Sequence, residues 1–99
     1  MPVIYHVTTI VSWKEAEKKG MYENPSLIAE GFIHCSQAHQ VDGVLDRYFA
    51  GQTDLIKLVI DTDKLTSKFV FDWSPSTADT FPHVYGPINT DAIIDTIIL

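Results

Sequence analysis

Cysteine and arginine are scarce in this chain of 99 residues, which contains one of each, Cys35 and Arg47. A single cysteine excludes a disulfide within the chain. The N-terminal segment also lacks the basic and apolar blocks of an export signal, so we expect a cytoplasmic protein. No apolar run approaches the roughly 20 residues that a membrane-spanning helix needs, and we therefore expect no membrane association.

Positively charged residues are also few. The chain has 7 Lys and Arg against 13 Asp and Glu, which gives a formal net charge of -6. Proteins that bind nucleic acid neutralise many phosphates at once, so this balance predicts no DNA partner and argues against RNA. A short anionic ligand is compatible with it, because one guanidinium and a few backbone N–H groups can hold a single phosphate. The sequence identifies no protein partner.

The length suits one domain, residues 1–99, which can bury about two-thirds of its unfolded surface. Strands are predicted at 3–8, 32–36, 54–60, 68–73 and 92–99, and the most apolar of them, 54–60, should be central. Helices are predicted at 12–20 and 37–49, with a helical turn near 25–31 and a long irregular connection over 74–87. This uneven distribution of helices among strands predicts an α+β fold with a mixed or antiparallel sheet.

Capping residues mark both helix starts. Ser12 and Glu15 have the spacing of a capping box that would open the first helix. Ser36 would cap the second helix, so that the backbone N–H groups of Gln37 and Ala38 would face an anion above the strand end.

Three segments, residues 4–8, 31–36 and 81–87, each place a histidine beside hydroxyl, aromatic or Gly/Pro residues. Alternate side chains of a strand share a face, so His6 should lie beside Thr8, and His34 beside Ser36. Imidazoles and hydroxyls suit ribose hydroxyls, and a lone guanidinium can clamp one phosphate. The residues of the predicted nucleotide pocket are His6, Thr8, His34, Ser36, Arg47, His83 and Tyr85. The sequence is also compatible with an alternative in which His6 and His34 only hydrogen-bond across the sheet.

A cysteine nucleophile and a metal site are two other chemistries that these residue types could support. Cys35 and His34 are adjacent and could form a nucleophile pair, but neighbours on a strand point to opposite faces, which predicts a core role for Cys35. Four histidines could converge on a metal, but no local ligand spacing is present, and we predict no metal site. His39 is expected to be solvated.

Over nearly its whole length the chain resembles the family catalogued as domain of unknown function 952. The resemblance rests on residues 5–8, 30–36, 40–41, 47–49, 54–55 and 81–87. That family is grouped by fold with ADP-ribosyltransferases, and a closer similarity is to the RNA 2'-phosphotransferase branch, matched here at His6, Thr8, His34 and Ser36. Val7 stands where that branch has glycine, and its phosphate-binding arginines are absent apart from Arg47.

The resemblance implies an ADP-ribosyltransferase-like split sheet with two main helices, NAD as cofactor, and ADP-ribosyl transfer or cleavage of the glycosidic bond of NAD. His6 would bind ribose hydroxyls, Arg47 would meet phosphate, and Asp72 would face the reacting carbon. Family members often carry glutamate near Asp72, and aspartate reaches less far. The alternative is therefore a non-catalytic module on the same fold that binds a small ligand or a protein.

Overall fold

The computed structural model describes residues 2–99. Within that range there are eight strands and three α-helices, in the order β1 (Val3–Thr9), α1 (Ile10–Lys19), β2 (Met21–Tyr22), α2 (Ser26–Ala29), β3 (Ile33–His34), α3 (Val41–Tyr48), β4 (Leu55–Asp61), β5 (Phe69–Ser74), β6 (Asp79–Val84), β7 (Ile88–Asn89) and β8 (Ile93–Ile98). The expected α+β class is therefore confirmed, with α1 and α3 as the longest helices.

The strands form two three-stranded sheets and one two-stranded pair. The first sheet has the order β1-β4-β8, the second has the order β3-β6-β5, and β2 pairs with β7. Every named pair is antiparallel, so the antiparallel form of the prediction is the one observed. The predicted central strand is β4, which pairs with β1 on one side and β8 on the other.

A single bridge joins the two larger sheets. The backbone N–H of Tyr5 donates to the Ser36 carbonyl at 2.8 Å, and the N–H of Ser36 donates back to Tyr5 at 2.7 Å. Because these two bonds lock β1 to the segment that follows β3, the next residue along β1, His6, comes within reach of His34.

Apolar side chains of the first sheet build the main core. Ile4 of β1 and Ile56, Leu58 and Ile60 of β4 are all buried, and Ala16 of α1 packs with them. Val7, Val41 and Leu55 form a smaller cluster that includes residues from β1 and α3. Burying this much apolar area is the main stabilising contribution, at about 25 cal/mol per Å² removed from water.

Both predicted helix starts need correction. The N-cap of α1 is Thr9, whose hydroxyl accepts from the Ser12 backbone N–H at 3.1 Å, so the helix begins at Ile10 and the Ser12 capping box does not form. The backbone of Ser36 is instead paired with Tyr5. Gln37 and Gln40 cap each other before a 3₁₀ turn at Ala38–Gln40, and the Gln37 N–H is occupied by the Gln40 side chain.

The predicted irregular connection over 74–87 is also wrong. Its second half is β6, which pairs along its length with β5. The physical reason is pairing with β5, which supplies hydrogen-bond partners to the segment 79–84. As a strand, this segment places Pro82 and Val84 in the interior and His83 on the other face. This strand positions the site described next.

Candidate functional site

The second sheet brings two histidines together by strand register. His34 of β3 is directly opposite His83 of β6, and their ring centroids are 5.1 Å apart in an edge-to-face arrangement. On the other side of β6, Phe81 is opposite Asp72 of β5, so Asp72 is the diagonal neighbour of His83. Diagonal neighbours of an antiparallel pair lie within reach of long side chains.

His83 is held on several sides. Its Nδ1 lies 2.8 Å from Oδ2 of Asp72, and its ring stacks on Phe32 with centroids 4.1 Å apart. The side chain is 13% exposed. A carboxylate can only accept, so Nδ1 carries a proton. Among residues 2–99 no hydrogen bond is made by Nε2 of His83, and this atom is therefore available to a ligand.

Asp72 is shared between two donors. The Tyr85 hydroxyl donates to the same Oδ2 at 2.5 Å. These hydrogen bonds, first from Tyr85 and then from His83, hold the pKa of Asp72 below its ordinary value, because they favour the charged carboxylate. The same contact raises the pKa of Tyr85. Asp72 is thus an anion that orients the His83 ring.

His34 has a carboxylate of its own. Its Nε2 lies 2.6 Å from Oε2 of Glu30, four residues earlier, and both side chains are about half exposed. Glu30 is the C-cap of α2 and His34 ends β3, so the short connection between these two elements brings the carboxylate to the ring. Two imidazoles, each fixed by a carboxylate, therefore lie edge to face.

His6 has a different environment. Nδ1 lies 2.5 Å from the His34 carbonyl oxygen, and Nε2 lies 2.8 Å from the Tyr22 hydroxyl. The Tyr22 oxygen is also 2.9 Å from the Thr8 hydroxyl and from the amide nitrogen of Asn24. His6, Thr8 and Tyr22 are all buried, so the network is satisfied internally.

The proton positions in this network follow from chemistry. The His34 carbonyl can only accept, so Nδ1 of His6 carries the ring proton. Burial lowers the pKa of His6 to about 4, which keeps the ring neutral near pH 7 and makes Nε2 an acceptor. The one proton of the Tyr22 hydroxyl is then used on His6, and Thr8 and Asn24 donate to the Tyr22 oxygen. Burial likewise raises the pKa of Tyr22 and keeps it neutral.

A cavity of about 590 Å³, here called the histidine cavity, opens between the second sheet, β1 and α3. This volume is within the range of small-molecule sites. Its polar wall includes His6, His34, Ser36, His83, Asn24 and Glu30. Its aromatic wall consists of Tyr48, Phe49, Trp73 and Phe81. Within residues 2–99 no lysine or arginine lines it, and Glu30 is its one acidic residue.

A smaller cavity of about 170 Å³, here called the Arg47 cavity, adjoins the first. It is lined by His39, Gln40, Gly43, Arg47, Thr77, Asp79 and Phe81. Thr77 and Phe81 line both cavities, so a ligand longer than one ring could extend from one into the other.

The structure brings together four of the predicted site residues, His6, His34, Ser36 and His83, on the wall of the histidine cavity. Thr8 is two hydrogen bonds behind this wall, because it contacts Tyr22, which in turn contacts His6. Asp72 and Tyr85 lie behind His83 rather than on the wall, and Arg47 lies in the adjoining cavity. His6 does bond to the backbone of His34 across the sheets, as the alternative interpretation held, and it also lines the cavity.

Sequence reasoning missed Glu30, Tyr22 and Thr77. Glu30 precedes His34 by four residues in the segment 30–36, and that spacing was a usable signal once the helical turn had been predicted. No comparable signal existed for Tyr22, which meets His6 only through the fold. Cys35 was predicted correctly as core: it is 2% exposed, and burial raises the pKa of its thiol.

Residues 2–99 contain neither a cluster of metal ligands nor a membrane-spanning helix. No group of three or more His, Cys, Asp or Glu side chains in this range is arranged to hold a metal ion. No helix in the described part of the chain has the length and apolar character needed to cross a membrane.

Comparison with known proteins gives one family and one solved relative. The model of the family described as "Protein of unknown function (DUF952)" matches residues 7–96. A crystal structure of protein CC0527 from Caulobacter crescentus superimposes with a TM-score of 0.87 at 26% identity, covering 97% of this chain and 84% of that one. The solution structure of CC0527 gives 0.84 at 27% identity, covering 100% and 85%. No curated protein matches the chain.

Proposed function

The chain belongs to the DUF952 family, and we propose that its histidine cavity binds NAD or a related ribonucleotide and that His83 promotes cleavage of the bond between nicotinamide and ribose. In this proposal the antiparallel sheets are an ADP-ribosyltransferase-like split sheet, and the histidine cavity is its NAD cleft. The observation that carries the proposal is His83 on the cavity wall, which is paired through Nδ1 with Asp72 behind it and whose Nε2 makes no hydrogen bond within residues 2–99.

The electrostatic character of the cavity supports a nicotinamide ring as its occupant. The ring is a planar cation in NAD, and aromatic faces attract cations by roughly 0.5–2 kcal/mol. Trp73 and Tyr48 supply such faces and are more than half exposed at the wall, and Glu30 supplies a negative charge. With no lysine or arginine of the described residues on this wall, a cationic ring meets no repulsion from those side chains.

The arrangement of His83 supports general base catalysis. In the proposed step, a water oxygen bonds to the ribose carbon while the bond from that carbon to the nicotinamide nitrogen breaks. The bonding pair goes to that nitrogen, which neutralises the pyridinium, and the water proton goes to Nε2 of His83. Asp72 keeps the proton on Nδ1, which leaves Nε2 as the base, and stabilises the imidazolium that forms. Asp72 therefore acts through His83 and not at the reacting carbon.

The remaining predicted residues have supporting roles. His6 has both nitrogens occupied and shapes the cavity floor with Ser36, while Thr8 orders the Tyr22 hydroxyl that fixes His6. His34 is oriented by Glu30 and lies edge to face with the His83 ring. In this proposal its ring forms a hydrogen bond with a ribose hydroxyl, as donor or as acceptor.

The test combines binding with turnover. Titration of the protein with NAD should shift the amide resonances of His83, Ser36 and Phe81, and nicotinamide should be released. His83→Asn should lower the release rate by about a hundredfold or more, the usual contribution of a positioned base. Lys19→Gln, at an exposed position of α1 that lines neither cavity, is the control and should leave the rate unchanged. Release that is unaffected by His83→Asn would refute the role of His83.

A second function, binding without turnover, is favoured by one observation. The Asp72 carboxylate is committed to His83 and Tyr85 and does not line the cavity, so no acidic group except Glu30 faces the developing positive charge on the ribose. Shifts of amide resonances on addition of NAD, without release of nicotinamide, would favour binding without turnover. An absence of shifts in the histidine cavity at millimolar NAD would remove both functions.

A further inference from the structure

The Arg47 cavity contains a guanidinium that makes no ion pair within residues 2–99. Among residues 2–99, Arg47 makes no ion pair and no hydrogen bond through its guanidinium, which lies 5.8 Å from the ring centroid of Tyr48. A Cβ added at Gly43 would lie 3.0 Å from one guanidinium nitrogen. The absence of a side chain at Gly43 therefore leaves the space in which the guanidinium folds back over the helix.

A second unsatisfied group lies in the same cavity. The Thr77 hydroxyl oxygen is buried and has no hydrogen-bond partner in the described structure. A buried hydroxyl without a partner costs about 1–3 kcal/mol, so such a group usually binds a water molecule, an ion or a ligand. Thr77 lines both cavities, which places this hydroxyl at their junction.

We propose that the Arg47 cavity is a phosphate subsite, in which the Arg47 guanidinium and the Thr77 hydroxyl hold a phosphate of a ligand whose ring occupies the histidine cavity. This inference rests on the proposed function for the position of the ring. Guanidinium binds phosphate in a bidentate, charge-assisted fashion, and the hydroxyl donates a third hydrogen bond. The ligand would thus have a cationic or neutral planar end and an anionic end, each matched by one cavity.

Asp79 also lines the Arg47 cavity, and its negative charge would repel a phosphate bound there. Its carboxylate accepts from the Gln40 side chain at 2.7 Å and from the Thr80 backbone at 2.8 Å, and it lies 3.5 Å from a nitrogen of His39. Those hydrogen bonds, led by that from Gln40, lower the pKa of Asp79, so it is charged near pH 7. We therefore place the phosphate at the Arg47 and Thr77 side of the cavity.

The experiment compares ligands that differ by one phosphate. Nicotinamide riboside and nicotinamide mononucleotide are titrated separately, and we expect the mononucleotide to bind about tenfold more tightly. In Arg47→Gln the two should bind within twofold of each other. Lys18→Gln, which removes one exposed positive charge from α1, is the matched control and should retain the tenfold difference. A difference that persists in Arg47→Gln would overturn the subsite.

Two isosteric variants test the remaining contacts. Thr77→Val should reduce the phosphate-dependent gain by about threefold without lowering the free energy of unfolding, because the hydroxyl has no protein partner to lose. Asp79→Asn should increase the affinity for the mononucleotide, since it removes the opposing charge, and should leave the affinity for the riboside unchanged. Weaker mononucleotide binding in Asp79→Asn would contradict the placement.

The outcomes separate this inference from the proposed function. If both ligands shift His83 equally and bind with equal affinity, the histidine cavity is a site and the phosphate subsite is wrong. If neither ligand binds, the proposed function is wrong, and titration with inorganic pyrophosphate then decides the subsite alone. Shifts at Thr77 that disappear in Arg47→Gln would support it, and no shifts would overturn it.

Discussion

His6 and His83 are the same residue type in two environments that give them different roles. His6 is 6% exposed, and both of its nitrogens are bonded inside the protein. His83 is only slightly more exposed, but one nitrogen is bonded to Asp72 and the other makes no hydrogen bond within residues 2–99. A fully bonded imidazole stabilises the fold, whereas an imidazole with one oriented and one available nitrogen can exchange a proton with a ligand. The number of occupied nitrogens therefore distinguishes these histidines better than burial does.

The largest expected effect that separates them is on stability. His6→Ala should lower the free energy of unfolding by about 3 kcal/mol, because it removes the side-chain donor to the His34 carbonyl and one of the three partners of the Tyr22 hydroxyl, and it leaves a cavity where the buried ring was. His83→Ala should cost about 1 kcal/mol, since Asp72 keeps Tyr85 and has access to solvent. Urea denaturation of both variants measures the difference, and equal losses would erase the distinction.

The next effect is the pH dependence of stability. The pKa of His6 is about 4 in the folded protein against 6.5 for an ordinary histidine, so between these values the unfolded chain takes up a proton that the folded protein does not. Stability should therefore fall as the pH is lowered through this window, by at most about 3 kcal/mol in total.

His6→Asn isolates this contribution, because asparagine can still donate to the His34 carbonyl but does not titrate. Urea denaturation at pH 7, 5.5 and 4.5 should show a smaller loss of stability in the variant than in the parent. The carboxylates of Asp72 and Asp79 have lowered pKa values, so they act at more acidic pH and in both proteins. Parallel pH profiles would show that His6 is not the cause.

A smaller effect is expected at Tyr22. Tyr22→Phe removes the hydroxyl that meets His6, Thr8 and Asn24, and it should cost about 1–2 kcal/mol while leaving the ring packed. Tyr48→Phe is the matched control, because Tyr48 is exposed and its hydroxyl makes no hydrogen bond within the described residues. Thermal unfolding measures both, and an unchanged midpoint for Tyr22→Phe would show that the network contributes no stability.

The smallest effect is expected on one pKa. Tyr85→Phe removes the hydrogen bond that lowers the pKa of the Asp72 carboxyl most, so this pKa should rise toward its ordinary value. It should stay below that value because His83 still donates to the carboxylate. Carboxyl carbon chemical shifts followed over pH measure this change. Because a lowered carboxyl pKa stabilises the folded protein where the carboxylate is charged, the variant should lose a little stability near pH 7 and none at strongly acidic pH. An unchanged Asp72 pKa would show that the Tyr85 contact is not formed in solution.

Local sequence patterns predicted much of the fold. The apolar run at 54–60 indicated the central strand, and the alternation of residues 3–8 placed Ile4, His6 and Thr8 on one buried face, as observed. The prediction failed where a neighbouring strand decides. Ser36 has the character of a helix cap, but its backbone pairs with Tyr5, and the segment 79–84 extends because β5 supplies its hydrogen-bond partners. Tertiary pairing overrides a local preference in both places.

The sequence by itself determined the class of the domain, its acidic character and four of the residues that line the histidine cavity, His6, His34, Ser36 and His83. Only the tertiary structure decided which nitrogen of which histidine is available, that Asp72 bonds to His83, and that Arg47 lies in a separate cavity beside Thr77. The physical reason is that residue type and strand alternation are local properties. Hydrogen-bond occupancy instead depends on which distant segments a bridge such as Tyr5–Ser36 brings into contact.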